Sequence, residues 1–257
     1  MSLDLAYSET GSGEPVVIIH GLFGWKRNWA TIAKHLGESH RVYTLDMRNH
    51  GESPHAPAMT YAQMADDIAQ FISSQKIGPC PVIGHSMGGK ASMTLALTQA
   101  ELVQRLLILD IAPVAYSHDY DSYVSAMKQI DLAAISRRSD VQPAIASIAE
   151  NPSVEAFLMQ NLTTDTNGRY RWRINLDAID HHMSDIMGFP AINSERAYPG
   201  PTLFLGGRNS DRIVPQYEAE IHRLFPAATV DFIDGAGHWV HADQPAAVLD
   251  RFRLFLA

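Results

Sequence analysis

Val82-Ile83-Gly84-His85-Ser86-Met87-Gly88-Gly89-Lys90 is the stretch on which the reading of this chain turns. Its first residues are apolar and of strand type. The run after them, Gly89-Lys90-Ala91-Ser92-Met93-Thr94-Leu95-Ala96-Leu97-Thr98, has a helical pattern. At the junction, Gly84-His85-Ser86-Met87-Gly88 fits G-x-S-x-G. A pentapeptide of common residues is weak by spelling alone, so the weight lies in its setting. A serine held at a tight strand-to-helix turn needs glycine on both sides, because the backbone is strained and neighbouring side chains would clash. The turn also places Ser86 at a helix N-terminus, where backbone N–H groups stabilise negative charge. The competing reading, a phosphate-binding glycine loop, lacks G-x-G-x-x-G and G-x-x-x-x-G-K-[ST].

Outward from this turn, short apolar runs alternate with amphipathic stretches. Pro15–Gly21, Arg41–Met47, Cys80–Ser86, Leu106–Pro113, Pro201–Gly207 and Thr229–Gly235 read as strands buried on both faces. Asn28–Leu36, Tyr61–Ile72 and Met87–Thr98 read as helices. A last helix is expected over Ala246–Leu256, with Asp243 as its N-cap and Pro245 in its first turn. The alternation predicts an α/β fold, a mostly parallel sheet flanked by helices. Val114–Pro199 breaks the rhythm, being helical and polar with breaks at Pro143 and Pro152. One alternating piece, Tyr170–Leu176, places Tyr170, Trp172, Ile174 and Leu176 on one face of a strand. This segment reads as an insertion over the carboxyl ends of the strands, where open α/β sheets bind ligands.

A serine hydroxyl is a poor nucleophile without a base, and the base needs a carboxylate to orient it, in the chain order serine, acid, histidine. Of the twelve histidines, His238 in Gly235-Ala236-Gly237-His238-Trp239 sits where the last strand ends, in a loop that glycines let bend toward Ser86. His241 is a weaker candidate. Two aspartates fit the order. Asp110 ends the strand after the serine's helix, and Asp211 comes after the next strand, beyond the insertion. Each also has a structural reading, Asp110 holding a turn and Asp211 capping a helix near Pro215. His20-Gly21 fits an oxyanion loop, and His85 is expected to pack or bond backbone. Cys80, the only cysteine, reads as a small core residue.

Composition excludes several classes of function. The 257 residues are 46% hydrophobic and 19% charged, ordinary for a globular protein that folds without disulfide or metal. A net charge of −8 with no basic cluster argues against nucleic acid as a partner. No H-E-x-x-H or Cys/His cluster suggests a metal. Neither a signal peptide nor an apolar run long enough for a bilayer is visible, so a cytoplasmic protein without membrane insertion is expected.

Val16–Gly24, Leu45–Ser53, Gly84–Gly89 and Gly235–Pro245 together resemble, in order, the motifs of the α/β-hydrolase superfamily over nearly the whole chain. The pieces HGLFG, DMRNHG, GHSMGGKA, DIAPV and GAGHWVHA look more closely like the YbfF-type carboxylesterases of bacteria and their mitochondrial relatives. The resemblance implies an α/β-hydrolase core over 1–113 and 200–257. It also implies a mainly helical cap over 114–199, inserted after the sixth strand. It implies Ser86 as nucleophile, His238 as base, and the N–H groups of Leu22 and Met87 as the oxyanion hole. In that group the acid is the aspartate of DIAP, here Asp110, and an asparagine–serine pair lies after the next strand, here Asn209-Ser210. Asp211 comes directly after that pair, so both acids stay in play, with Asp110 preferred. Expected substrates are short- to medium-chain acyl esters and thioesters, with no cofactor. Tyr116, Phe157, Trp172, Phe189, Trp239 and Ser210 are expected to face them. The rivals are a C–C bond hydrolase or cofactor-free haloperoxidase with the same triad, and a binding protein of this fold without catalysis.

Overall fold

Each of the six expected strands forms, and together they make the parallel body of one sheet. A computed structural model of the chain describes residues 1–117, 120–193 and 196–257. In chain order the strands are β1 (Tyr7–Thr10), β2 (Glu14–Ile19), β3 (His40–Leu45), β4 (Cys80–His85) and β5 (Val103–Leu109). A separate two-stranded ladder, β6 (Leu162–Thr164) with β7 (Tyr170–Trp172), comes next, followed by β8 (Thr202–Gly207) and β9 (Ala228–Ile233). The sheet runs β1-β3-β2-β4-β5-β8-β9, parallel except for β1, which pairs antiparallel with β3. β1 leaves no mark in the apolar pattern because Tyr-Ser-Glu-Thr is polar and mostly exposed at a sheet edge, without the continuous run of the inner strands.

Alternation along the inner strands divides the core. Val17 and Ile19 of β2, with Val82, Leu106, Ile108 and Phe204, face one side, which α2 (Tyr61–Gln75) and α3 (Met87–Thr98) cover. Val16 and Ile18, with Ile83, Leu107, Leu109 and Leu205, face the other, which α1 (Ala30–Leu36) and the C-terminal helix cover. Thr60 caps α2 in a reciprocal pair with Gln63, and Lys76 ends it in a left-handed conformation. Cys80 opens β4 fully buried, and burial pushes its thiol up to about 12, as suits an inert core residue.

Residues 114–199 contain α4 (Asp121–Gln129), α5 (Gln142–Ala146), α6 (Pro152–Met159), α7 (Leu176–His181) and α8 (Met183–Met187), besides the β6–β7 ladder. The segment comes after β5, the fifth strand of this chain, where the resemblance implied the sixth. The expected strand over Tyr170–Leu176 stops at Trp172, because Asn175 caps α7 by accepting from the Ala178 N–H. The segment lies over the carboxyl edge of the sheet. Asn161 Nδ2 donates to the Phe23 carbonyl (2.9 Å), Tyr61 Oη to Ile186 (2.6 Å), and the Asn175 N–H to Asn49 (2.9 Å).

The chain closes with α9 (Glu218–Leu224), α10 (Val240–Asp243) and α11 (Pro245–Leu256). Pro245 opens α11 as expected, but its N-cap is Gln244. Asp243 belongs to α10 and accepts the Gly237 N–H at 2.8 Å, so it ties down the loop carrying His238. Among the described residues no helix is long and apolar enough to cross a membrane.

Candidate active site

Four neighbouring strands, β4-β5-β8-β9, end side by side, and each is followed by a polar residue of the site. The Ser86 N–H still bonds the Leu109 carbonyl (3.1 Å) and the Asp110 N–H bonds Leu205 (3.0 Å), so both residues are the last rungs of the sheet. Beyond them the chain turns sharply, with φ of 53° at Ser86 and 47° at Asp110. Such left-handed positions cost about 1–3 kcal/mol in a non-glycine residue, and a rigid surrounding must hold them. The glycines of the pentapeptide permit the turn by allowing close approach. A Cβ at Gly84 would sit 2.5 Å from the Gly88 carbonyl oxygen, and one at Gly88 would sit 2.4 Å from that of His20.

His238 joins the two strand ends. Its Nε2 is 3.1 Å from Ser86 Oγ, and its Nδ1 is 2.7 Å from Asp110 Oδ2. Nδ1–H donates to the carboxylate, which leaves the Nε2 lone pair directed at the serine hydroxyl. Asp110 is fully buried and otherwise satisfied: Oδ1 accepts the Gly207 N–H (2.9 Å) and Oδ2 accepts Ser210 Oγ–H. Asp211 points elsewhere, 77% exposed and ion-paired with Arg212. It does not cap a helix either; Val214 precedes the turn at Pro215. His85 packs behind the base and donates from Nε2 to the His238 carbonyl at 2.9 Å. His241 stacks on Trp29 and is buried, away from Ser86 Oγ.

The loop after β2 lays a backbone N–H beside the serine. His20 Nδ1–H donates to the Gly21 carbonyl (2.8 Å), while its Nε2 accepts the Met47 N–H (3.0 Å). His50 donates from Nδ1 to the Arg48 carbonyl and accepts the Phe23 N–H on Nε2 (3.2 Å). The Phe23 bond holds that residue at φ 61°. Two neutral histidines therefore fix the turn that contains Leu22. Lys26, paired with the buried Asp46, anchors its far end. The N–H groups of Leu22 and Met87 find no protein acceptor among the described residues, so both are available to a ligand at Ser86.

Burial keeps these supporting histidines neutral. His20 is lowered and His85 well lowered, chiefly by desolvation; for His85 the neighbouring His238 and His241 add to it. His50 and His241 fall to about 3, again mainly by desolvation. In the unfolded chain each takes a proton as the pH drops through about 6.5. The unfolded state then binds more protons than the fold, so stability must decline below that pH. The slope is up to about 1.4 kcal/mol per pH unit for each histidine. For His50 and His241 the decline runs to about pH 3. Urea midpoints taken from about pH 7.5 down to about 4.5 should fall steadily; a flat profile contradicts the neutral buried assignment.

The chain as a whole is similar to known proteins. Residues 14–245 match the family model described as alpha/beta hydrolase fold. The chain belongs to the α/β-hydrolase family. It is 43% identical over 254 residues to the sn-1-specific diacylglycerol lipase ABHD11 of Danio rerio, covering 96% of this chain and 79% of that protein. It is 35% identical over 246 residues to esterase YbfF of Escherichia coli K12, covering 95% and 94%. A solved structure described as a marine microorganism esterase superposes with a TM-score of 0.95 at 38% identity, covering 99% of this chain and all of that one.

In this α/β hydrolase the space around the serine has two lobes. A cavity of about 530 Å³ opens over Ser86 and His238, with Phe23, Tyr120, Tyr123, Phe157, Arg212 and Trp239 in its walls. On the other side of Ser86 lies a void of about 20 Å³ against Met87, Lys90, Tyr116, Ile186 and Arg212. Of the residues expected to face substrate, Phe157 and Trp239 line the large lobe with ring centroids 5.3 Å apart, and Ser210 joins them there. Tyr116 lines the small lobe, its hydroxyl accepting the Ala112 N–H (2.8 Å) and donating to the Arg212 carbonyl. Trp172 and Phe189 line neither lobe. The Trp172 indole donates to the Met127 carbonyl in a separate surface groove, and Phe189 packs on the core. Sequence reasoning missed Tyr120, Tyr123 and Arg212. The first two share a helical face with Met127, a spacing visible in the sequence, but Arg212 carries no such signal. Among the described residues no cluster of His, Cys, Asp and Glu has the arrangement of a metal site.

Proposed function

We propose that this protein is a serine esterase that works through an acyl-serine intermediate. The observation that carries the reading is the unbroken hydrogen-bond chain Asp110–His238–Ser86, which opens into a cavity with both aromatic and polar walls. Ser86 Oγ attacks the ester carbonyl carbon while His238 Nε2 takes the hydroxyl proton. The carbonyl oxygen, now negative, is received by the N–H groups of Leu22 and Met87. Collapse of the tetrahedral adduct releases the alcohol, which takes the proton from His238. Water then attacks the acyl-serine by the same route, and the acid leaves. Asp110 holds the Nδ1–H tautomer and stabilises the imidazolium that forms in each half-reaction. Residues 114–199 act as a cap over the core of 1–113 and 200–257, and supply Tyr116, Tyr120, Tyr123 and Phe157 as substrate walls.

The names of the relatives, a diacylglycerol lipase and two esterases, support the ester as the bond broken. The void of about 20 Å³ beside Met87 and Lys90 admits only a short acyl chain, the cavity of about 530 Å³ leaves room for a medium one, and thioesters of the same acids react by the same route. Hydrolysis of p-nitrophenyl esters of increasing acyl length tests this. The kcat/KM should peak among the short to medium chains and fall for long ones. A value that climbs steadily into the long chains contradicts the size reading.

A further inference from the structure

Among the described residues, Arg212 is a buried guanidinium whose one carboxylate partner lies mostly in water. Its side chain is 9% exposed and borders both lobes beside Ser86. Nη2 donates to Tyr120 Oη over a long 3.3 Å, and the guanidinium carbon lies 5.4 Å from the centre of the Tyr116 ring. Its carboxylate neighbour, Asp211, is 3.3 Å from Nε but lies mostly in water, where screening weakens the pair. Buried arginines ordinarily meet a carboxylate through two parallel N–H bonds, because the planar fork matches the two oxygens.

Other charged groups lie nearby. Lys90 borders the small lobe, and its Nζ is tethered to the carbonyls of Met187 and Gly188. Burial above all, with Arg212 adding to it, lowers its ammonium to about 7, so Lys90 carries only part of a charge near neutral pH. Of the acids at hand, Asp110 is already bonded by His238, Gly207 and Ser210. Glu150 stands at the exposed rim of the large lobe, 3.1 Å from the Tyr123 hydroxyl. Among the described residues, then, Arg212 is the buried cation that faces the cavity without a buried carboxylate of its own, and low dielectric there strengthens any pairing.

We propose that Arg212 binds a carboxylate carried by the substrate, making short esters with an anionic group near the scissile bond the preferred class. Both monoesters of short dicarboxylic acids and acylated hydroxy acids have this chemistry; they differ in whether the charge is on the acyl or the alcohol side. This role for Arg212 rests on the esterase reading and narrows its substrate.

Two isosteric pairs test it on the intact protein. Monoethyl succinate against ethyl isocaproate places the charge on the acyl side. Acetylated hydroxypropionate against isoamyl acetate places it on the alcohol side. In at least one pair the kcat/KM for the charged ester should exceed its neutral isostere by about tenfold or more, as a charge-assisted bond in a buried site provides. Arg212→Gln should lower that charged-to-neutral ratio by about tenfold to a hundredfold, with Arg212→Lys in between. Neutral esters preferred in both pairs, or a ratio unmoved by Arg212→Gln, overturns the proposal. Should Arg212→Gln fold poorly, inhibition of the wild-type protein decides. Succinate must compete with the neutral ester better than succinamide does, and absence of that difference overturns the proposal. If no ester of the four is turned over in a Ser86-dependent way, the esterase reading itself falls. Turnover of the neutral esters alone overturns only the role of Arg212.

Discussion

Ser86→Ala should lower kcat on every ester the protein hydrolyses by about 10⁴–10⁶, with stability almost unchanged. The size reflects what is removed. Without Oγ there is no nucleophile and no acyl-enzyme, and only the N–H groups of Leu22 and Met87 and the walls of the cavity remain to favour attack by water. The fold should tolerate the change. The Ser86 side chain makes no capping bond at the start of α3; its hydroxyl bonds His238. Alanine keeps the Cβ, so the strain at φ 53° is the same in both proteins. A melting curve within about 0.5 kcal/mol of wild type, beside a lost hydrolysis rate, is the expected pair of results.

The second large effect separates the two aspartates. Asp110→Asn should lower kcat by about 10⁴, because a neutral amide neither holds His238 in the Nδ1–H tautomer nor offsets the imidazolium. Both oxygens of Asp110 are in use, so the amide nitrogen must also face a donor, either Gly207 N–H on one side or Ser210 and His238 on the other. Asp211→Asn loses only a water-exposed ion pair with Arg212, which is worth about 0–1 kcal/mol. Its kcat should stay within a few fold of wild type. Parallel kinetics on the two variants check this; equal small effects would mean that neither carboxylate alone orients the base.

The serine and histidine are legible in the sequence because their neighbours carry the signal. Glycines at 84 and 88 mark a turn, apolar residues before it mark a strand, and the late Gly-Ala-Gly-His marks a loop at a strand end. The residues alone do not decide the acid, since Asp110 and Asp211 both come after strands in the right order. Strand order decides the geometry: β5 lies next to β4, so Asp110 ends one strand away from Ser86 while Asp211 sits in a loop that turns to solvent. The interior strands are readable because burial on both faces leaves continuous apolar runs. β1 escapes because its four residues are polar. β9, at the other edge, is readable from Val230, Phe232 and Ile233, although it is only partly buried and not covered on both faces as expected. The segment over 114–199 is the least legible. Its aromatic residues serve both its own packing and the cavity, so Trp172 and Phe157 look alike in sequence and differ only in what the fold places beside them. The charge of Arg212 gains meaning only once its burial is known.

Mass spectrometry after reaction with a fluorophosphonate reports which side chain is the nucleophile. The Asp110–His238–Ser86 arrangement predicts one adduct per chain, on the peptide that carries Ser86, with ester hydrolysis lost in proportion to labelling. No adduct should form on Ser86→Ala. An adduct on another residue, or full hydrolysis after complete labelling of Ser86, would contradict it.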